Sequence, residues 1–272
     1  MLTATFLLVQ KPGWAISPKI ELDQMVRMRS LLLASISLFA SISTTLSAQT
    51  EDELFAAFSG MWFVFDPQLG ANSEACEVRL SNDDGDAMRG VRAVNCSAPL
   101  SELAGWTIVD GQLDLRSAEG VTVLRLGGNQ QRVTGEFADT GFGIVMERSE
   151  GSARATDLAA ALRRHRCFFI GYSTECADQS ALRRPAFTQL GGTIGEAETL
   201  VDLNVRSQPR ADASIVGVLP AESCIRVNQC LIASDGVWCR ARFDEQEAWL
   251  AKTVIRQDEW PVVTFVGGCA GE

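Results

Sequence analysis

Short runs of alternating apolar and polar residues fill the chain from Gly60 to Arg148, with turn-forming residues between them. Alternation with a period of two is typical of half-buried strands, and intervening turns such as Asp110-Gly111 favour antiparallel hairpins. There are eight such runs: Met61–Phe65, Cys76–Leu80, Met88–Val94, Trp106–Val109, Gln112–Arg116, Val121–Leu126, Gln131–Phe137 and Phe142–Glu147. Eight strands can close on themselves and leave no exposed edge, so we predict a closed antiparallel barrel.

A short helix is predicted just ahead of this barrel. Leu54, Phe55 and Phe58 have helical spacing within Glu51–Phe58, which suggests a helix that covers one end of the barrel. On the last strand, Phe142, Ile144 and Met146 share one face of the alternation, and we expect that face to point inward.

The pattern changes between Ser149 and about Leu190. Thr156–Arg166 is predicted to be a short helix with a basic end, which could contact anionic groups of an envelope or simply be solvated. Cys167 and Cys176 then bracket a short segment, which predicts a local disulfide loop. Gly191-Gly192 follows as a flexible joint.

Strand patterns return from Leu200 to about Ile255, with Trp238 and Trp249 as large core candidates. A unit of this size buries little apolar surface, and cross-links would compensate for that. Cys230 and Cys239 flank the Asp235-Gly236 turn symmetrically, so we expect them to face each other on a hairpin and bridge. Cys224 and Cys269 are paired by elimination.

A secretory leader is predicted before the first helix. Arg27 and Arg29 precede the apolar stretch Leu31–Ile42, which leads to Leu46-Ser47-Ala48, the layout of a signal peptide. Translation would then start at Met25 or Met28, and cleavage after Ala48 would leave Gln49 first. The apolar stretch is shorter than the roughly 20 residues of a membrane helix, so a retained anchor is the weaker alternative, and we expect no membrane span in the mature chain.

Charge and cysteine content narrow the function classes. Removing residues 1–48 leaves 20 Lys+Arg against 32 Asp+Glu, a formal net charge of −12, and no basic stripe outside one short linker that would bind nucleic acid. All eight cysteines lie beyond Ala48, and an even number in an exported chain predicts disulfides rather than metal sites. With one histidine, His165, and no hydrolase motif, we expect neither an enzyme nor a cofactor.

Several residues of the first unit carry a resemblance to a known family. Ser59-Gly60-Met61-Trp62, the Cys76 and Cys96 pair, Trp106, Leu113 with Leu115, and Met146-Glu147-Arg148 follow one another along residues 50–148. In these motifs the unit resembles the alkaline-proteinase inhibitor family of Gram-negative bacteria. That resemblance implies a lipocalin-like eight-stranded barrel with a Cys76–Cys96 disulfide, and a function in blocking secreted zinc endopeptidases of the serralysin type.

The same resemblance implies that an N-terminal segment enters the peptidase cleft and reaches its zinc. The matching residues here are Gln49, Thr50, Glu51, Asp52 and Glu53. A segment held by a rigid barrel loses less freedom on binding than a free peptide does. The segment departs from the family in being acidic, and an N-terminal Gln can cyclise and lose its amine. The alternative is therefore a barrel that kept its fold and lost or changed its target.

The second unit resembles bacterial Src-homology-3-like domains over residues 199–256. Leu203-Asn204-Val205-Arg206-Ser207, Ile215–Pro220, Gly236–Ala241 and Ala248-Trp249-Leu250 follow that family's order. The resemblance implies a five-stranded barrel that attaches to peptidoglycan or another envelope ligand. Trp238 and Trp249 could stack on such a ligand, although tryptophans at alternating strand positions more often belong to a core.

The sequence thus predicts an all-β protein of two small barrels. The predicted segments are a misassigned start with a signal peptide (1–48), an inhibitor-like barrel (49–148), a linker with a helix and a disulfide loop (149–198), a Src-homology-3-like domain (199–256) and a C-terminal tail (257–272). The predicted function is a periplasmic or secreted peptidase inhibitor whose second domain binds the envelope or a partner. The alternative is an envelope-binding scaffold that inhibits nothing.

Overall fold

The computed structural model describes residues 50–71, 74–83, 88–148, 152–188 and 194–269. The predicted leader, Gln49 and the Gly191-Gly192 joint lie outside these residues. Residues Gln49–Glu272 form one compact unit. In the described part of the chain, no helix combines the length and apolarity that a membrane crossing requires.

The first eight strands form a closed antiparallel barrel in which each strand pairs with the next and β1 pairs with β8. The strands are β1 Gly60–Val64, β2 Cys76–Leu80, β3 Arg89–Val94, β4 Leu103–Val109, β5 Gln112–Ser117, β6 Thr122–Gly128, β7 Arg132–Phe137 and β8 Gly143–Glu147. A single 3₁₀ turn, Leu100–Glu102, leads into β4. The predicted barrel and its eight strands are confirmed, with boundaries that differ by at most three residues.

The barrel interior is filled by side chains from the predicted inward faces. Its fully buried members include Trp62, Leu80, Trp106, Leu115, Leu124, Leu126, Ile144 and Met146. The two indole N–H groups are satisfied, because Trp62 donates to the Phe58 carbonyl and Trp106 to the Ser81 carbonyl, each at 2.9 Å. The interior is therefore a packed core.

Phe142 departs from the predicted inward face. Its side chain is 37% exposed, whereas Ile144 and Met146 are buried. Phe142 precedes β8, beyond the barrel wall, so the alternation does not yet apply to it.

Within the described residues, three α-helices accompany the strands: α1 Glu51–Phe58, α2 Ala153–His165 and α3 Gln179–Leu182. Helix α1 has the predicted bounds. Helix α2 begins after the Ser152 cap and ends at Arg166, whose φ of 66° breaks the helix. It packs on the last part of the chain, against the strands at 253–256 and 260–263.

In the described part of the second half of the chain, the strands form two further sheets. The strands are β9 Phe169–Ile170, β10 Phe187–Thr188, β11 Ile194–Thr199, β12 Leu203–Arg206, β13 Ile215–Leu219, β14 Cys224–Ala233, β15 Gly236–Phe243, β16 Gln246–Ala251, β17 Thr253–Arg256, β18 Trp260–Val263 and β19 Phe265–Gly267. The larger sheet has the order β10-β11-β14-β15-β16-β12-β13, with β19 also paired to β11. The smaller sheet has the order β17-β18-β9.

The larger sheet contains more strands than the five predicted for residues 199–256. It also takes in β10 and β11 from the preceding segment and β19 from the C-terminal tail. The Cys224–Cys269 disulfide accounts for part of this, because it ties the tail to β14, next to β11.

Candidate functional site

Thr50 to Glu53, the described residues of the segment expected to contact a peptidase, form the start of a helix. Thr50 is the N-cap of α1, and its hydroxyl accepts a hydrogen bond from the Glu53 N–H at 3.3 Å. The Glu53 carboxylate accepts one from the Thr50 N–H at 2.9 Å, which completes a capping box. Glu51, Asp52 and Glu53 are exposed. The acidic side chains therefore face solvent, while their backbone is already committed to a helix.

Helix α1 is docked on the barrel through Phe55. The Phe55 ring meets the buried Trp106 edge-on, with ring centroids 5.0 Å apart. The Arg89 guanidinium carbon lies 3.8 Å from the centre of the Phe55 ring. A nitrogen of the same guanidinium forms a 3.4 Å ion pair with Asp52. That ion pair contributes little, because the Asp52 side chain is 94% exposed. Apolar packing of Phe55 holds the helix in place.

Arg148 joins the beginning of the barrel to its end. Its guanidinium donates to the carbonyls of Ala57 and Ser59 and lies 4.5 Å from the centre of the Trp62 ring. Burial lowers the pKa of Arg148, but a guanidinium titrates so far above neutrality that it stays charged. The two motifs at the ends of the barrel region, Ser59–Trp62 and Met146–Arg148, thus meet in space.

All four predicted disulfides are present: Cys76–Cys96, Cys167–Cys176, Cys224–Cys269 and Cys230–Cys239. The first fastens β2 to the chain just after β3. Four disulfides are typical of proteins outside the cytoplasm. No cluster of His, Cys, Asp and Glu among the described residues could hold a metal ion.

The two tryptophans considered for ligand stacking lie at the junction of the barrel and the larger sheet. Trp238 is only 2% exposed, and its indole N–H donates to Asp235 at 3.0 Å. It packs in one cluster with Val145 of the barrel and Leu231 of β14, and the half-buried Trp249 lies against this cluster. Trp238 therefore has no free face for a ligand.

The same junction contains a buried ion network that the sequence analysis did not identify. Arg132 lies 2.8 Å from a Glu147 oxygen and 2.8 Å from an Asp235 oxygen, and it donates to the Pro209 carbonyl at 2.7 Å. Glu147 also accepts from Ser234, both from its hydroxyl and, at 3.1 Å, from its backbone N–H. Arg132 and Glu147 belong to the barrel, whereas Asp235 and Ser234 form the β14–β15 turn. The network therefore joins the barrel to the larger sheet through an ion pair and hydrogen bonds.

Among the clefts lined by the described residues, two have exposed aromatic side chains in their walls. The larger, of about 840 Å³, runs between the end of the barrel and β14, and its apolar walls include Leu69, Phe137, Phe142 and Pro185. Arg184 lines it too, but an ion pair of 3.9 Å with Asp66 partly neutralises that charge. Polar side chains also line this cleft, namely those of Gln68, Asp139, Thr140, Asn228 and Gln229.

The second cleft, of about 370 Å³, lies between the Cys167–Cys176 loop and the β17–β18 hairpin. Its walls include Tyr172 and Trp260, whose side chains are 56% and 40% exposed. The sequence offered one signal for it, because the chain's one tyrosine lies inside a short disulfide loop. Nothing in the sequence indicated that Trp260 lines this cleft, because the rings it contacts, His165 and Phe169, lie about 90 residues earlier in the chain.

No protein-family model matches the chain, and no curated protein matches it in sequence. Its function is therefore inferred from its own residues and their contacts.

Proposed function

We propose that the protein is an exported peptidase inhibitor that presents the segment Gln49–Glu53 from a rigid barrel to the active-site cleft of a serralysin-type zinc endopeptidase. The observation that carries the proposal is the docking of α1. Phe55 on Trp106 and Arg148 on the carbonyls of Ala57 and Ser59 fix where Thr50 leaves the barrel. A segment presented in this way has lost much of its freedom before it binds.

The resemblance to the alkaline-proteinase inhibitors supports the same proposal. Its first and last motifs form one contact through Arg148 and Trp62, so they have a shared structural role in holding the start of the chain. On this proposal the barrel is lipocalin-like, the larger sheet contains a Src-homology-3-like domain, and the protein acts in the periplasm or after secretion.

The capping box adds a condition to this mechanism. Thr50 to Glu53 cannot enter a cleft as an extended strand unless the first turn of α1 unwinds, which costs about 1 kcal/mol for the lost cap. Two modes of entry are therefore open to the segment. Its first turn unwinds at that cost, or the exposed acidic start of the helix enters the cleft with its first turn intact and with Gln49 first.

The proposal is tested by titrating a serralysin-type peptidase with protein that begins at Gln49. We expect inhibition at a ratio of one to one. Inhibition should be lost when Gly-Ser-Gly-Ser is added before Gln49, because the N-terminal end of the segment, here called the tip, then no longer fits the active-site cleft. Val121→Ala, at an exposed position away from α1, is the matched control and should inhibit fully. Absence of inhibition by the unextended protein would overturn the proposal. Equal inhibition by the extended form would overturn the tip mechanism alone.

A second candidate is an envelope-binding scaffold without inhibitory function. The capping box favours it, because the backbone of Thr50 and Glu53 is already paired within the chain. The test is co-sedimentation of the protein from Gln49 onward with purified peptidoglycan. The whole chain is required, because a fragment from residue 195 would expose Leu231 and Trp238, which pack against Val145. Binding without inhibition would favour the scaffold.

A further inference from the structure

The smaller cleft has two aromatic walls that are held in place although they face solvent. Trp260 rests on His165, with ring centroids 4.5 Å apart, and on Phe169 at 5.6 Å. Tyr172 is anchored at its tip, because its hydroxyl accepts a hydrogen bond from the Asp202 N–H at 3.1 Å. Exposed aromatic rings beside a cleft are a common sign of a binding site.

The frame around these rings is rigid. The Cys167–Cys176 disulfide closes the loop that carries Tyr172, and β9 within this loop pairs in parallel with β18, which begins at Trp260. Arg256 pairs with Trp260 across the β17–β18 hairpin, whose turn is tight, since Gln257 and Asp258 have φ values of 51° and 55°. A ligand would therefore meet a surface that is already formed.

The cleft has a positively charged residue in its wall, Arg256. The Arg256 guanidinium carbon lies 4.1 Å from the centre of the Tyr172 ring, which leaves the edge of the guanidinium able to donate. Among the residues the structure describes, no carboxylate lies within ion-pair distance of Arg256. The exposed hydroxyls of Ser173 and Thr174 line the same cleft. The cleft thus offers aromatic faces, hydroxyls and one positive charge.

We propose that this cleft binds an anionic saccharide. The polarised C–H face of a sugar ring packs on the negative face of an aromatic ring, here that of Trp260 or Tyr172. A carboxylate or phosphate on the sugar accepts charge-assisted hydrogen bonds from Arg256. A nucleic-acid strand would present similar groups, but it is bound through several Lys and Arg set against its phosphates, and among the described residues that line this cleft there is one, Arg256.

This inference goes beyond the proposed inhibition and uses none of its residues, because the cleft lies outside the barrel. The required chemistry, a pyranose ring with a fixed negative charge, occurs in glycan fragments of peptidoglycan, in phosphorylated lipopolysaccharide cores and in uronic-acid polymers. The experiment separates these sources.

Titration calorimetry of the protein from Gln49 onward would use three anionic probes: muramic-acid-containing fragments, lipopolysaccharide core oligosaccharide and oligogalacturonate. A neutral chito-oligosaccharide supplies rings without charge, inorganic phosphate supplies charge without a ring, and single-stranded DNA tests the alternative polyanion. We expect at least one anionic saccharide to bind. The neutral sugar should bind at least about tenfold more weakly, since a hydrogen bond to a charged group contributes about 1.5 to 3 kcal/mol.

Variants assign the binding to this cleft. Tyr172→Ala and Trp260→Ala should each weaken binding at least about tenfold, and Trp260→Tyr should largely restore it, which separates loss of stacking from loss of folding. Arg256→Gln should remove the preference for anionic over neutral sugar. Phe142→Ala, at an exposed aromatic of the larger cleft, and Arg242→Gln, at an exposed arginine of β15, are the controls and should change nothing.

The inference is overturned if none of the three saccharides binds, if binding survives Tyr172→Ala and Trp260→Ala, or if only DNA binds. Inhibition of the peptidase by Tyr172→Ala, measured on the same preparation, should be unchanged. A failure of the saccharide site and a failure of the inhibitory proposal therefore give different results.

Discussion

Gly60 has no side chain, and this leaves room for the Arg148 guanidinium that holds the start of the barrel. Its φ is 112°, which strains any other residue, and a Cβ atom there would lie 2.6 Å from a guanidinium nitrogen of Arg148. An alanine must therefore displace Arg148 from the carbonyls of Ala57 and Ser59.

We expect Gly60→Ala to lower the free energy of unfolding by about 2 to 4 kcal/mol, through backbone strain and the lost hydrogen bonds. Denaturant unfolding measures this. Gly120→Ala is the control, because Gly120 also has a positive φ, 79°, but open space around it, so it should cost only about 1 to 2 kcal/mol. Equal losses in the two variants would show that the Arg148 contact does not matter.

Lys252 is a buried amine whose ionisation opposes folding. Its side chain is fully buried, and its ammonium donates to the Phe265 carbonyl at 2.9 Å. Within the described ranges no carboxylate pairs with it. Burial lowers the pKa of Lys252 from 10.5 to about 8.

The pH dependence follows from this lowered pKa. Between about pH 8 and pH 10.5 the unfolded chain binds more protons at Lys252 than the folded chain does, so stability rises with pH across that window. We expect this group to add about 2 to 3 kcal/mol over the window, and Lys252→Met to remove the rise. Denaturant unfolding of both proteins at pH 8 and pH 10 checks this. Parallel pH profiles would contradict it.

At the scale of elements, the start of α1 depends on two reciprocal hydrogen bonds between Thr50 and Glu53. We expect Thr50→Ala to cost about 1 kcal/mol of stability, the usual cost of losing an N-cap. Glu51→Ala, next to it, removes a favourable charge at the helix N-terminus and should cost about half as much or less. The measurement is again denaturant unfolding, and a larger loss for Glu51→Ala would show that charge, not the capping box, holds this turn.

At the scale of the whole molecule, the Arg132 network is one of the contacts that join the barrel to the larger sheet, beside the apolar packing of Val145 on Leu231 and Trp238. Replacing Arg132 leaves Glu147 and Asp235, which are 2% and 3% exposed, without their shared cation. We expect Arg132→Met to cost about 3 to 5 kcal/mol, the range for breaking a buried ion pair. Calorimetry should also show the barrel and the larger sheet unfolding as separate transitions, where the unaltered protein shows one.

Arg125→Met is the matched control for this prediction. Arg125 also contacts a buried carboxylate, Asp114, at 3.5 Å, but its own side chain is 52% exposed and lies within the barrel wall. Its loss should cost less than about 1 kcal/mol and leave a single transition. A similar cost for both variants would mean that the network contributes nothing special to the junction.

The sequence by itself determined the eight barrel strands, helix α1 and the two closely spaced cysteine pairs. These features are readable because they arise from local alternation, from turn residues and, for Cys167–Cys176 and Cys230–Cys239, from short spacing. Only the tertiary structure decided which outward faces are covered. Val145 and Glu147 alternate with the inward residues of β8 and would be expected in solvent, yet both are 2% exposed, because β14 packs on them. The tertiary structure also decided that Arg132 meets Asp235 and that Tyr172 and Trp260 line the same cleft. These contacts join residues that are far apart in the chain, so no local sequence pattern predicts them.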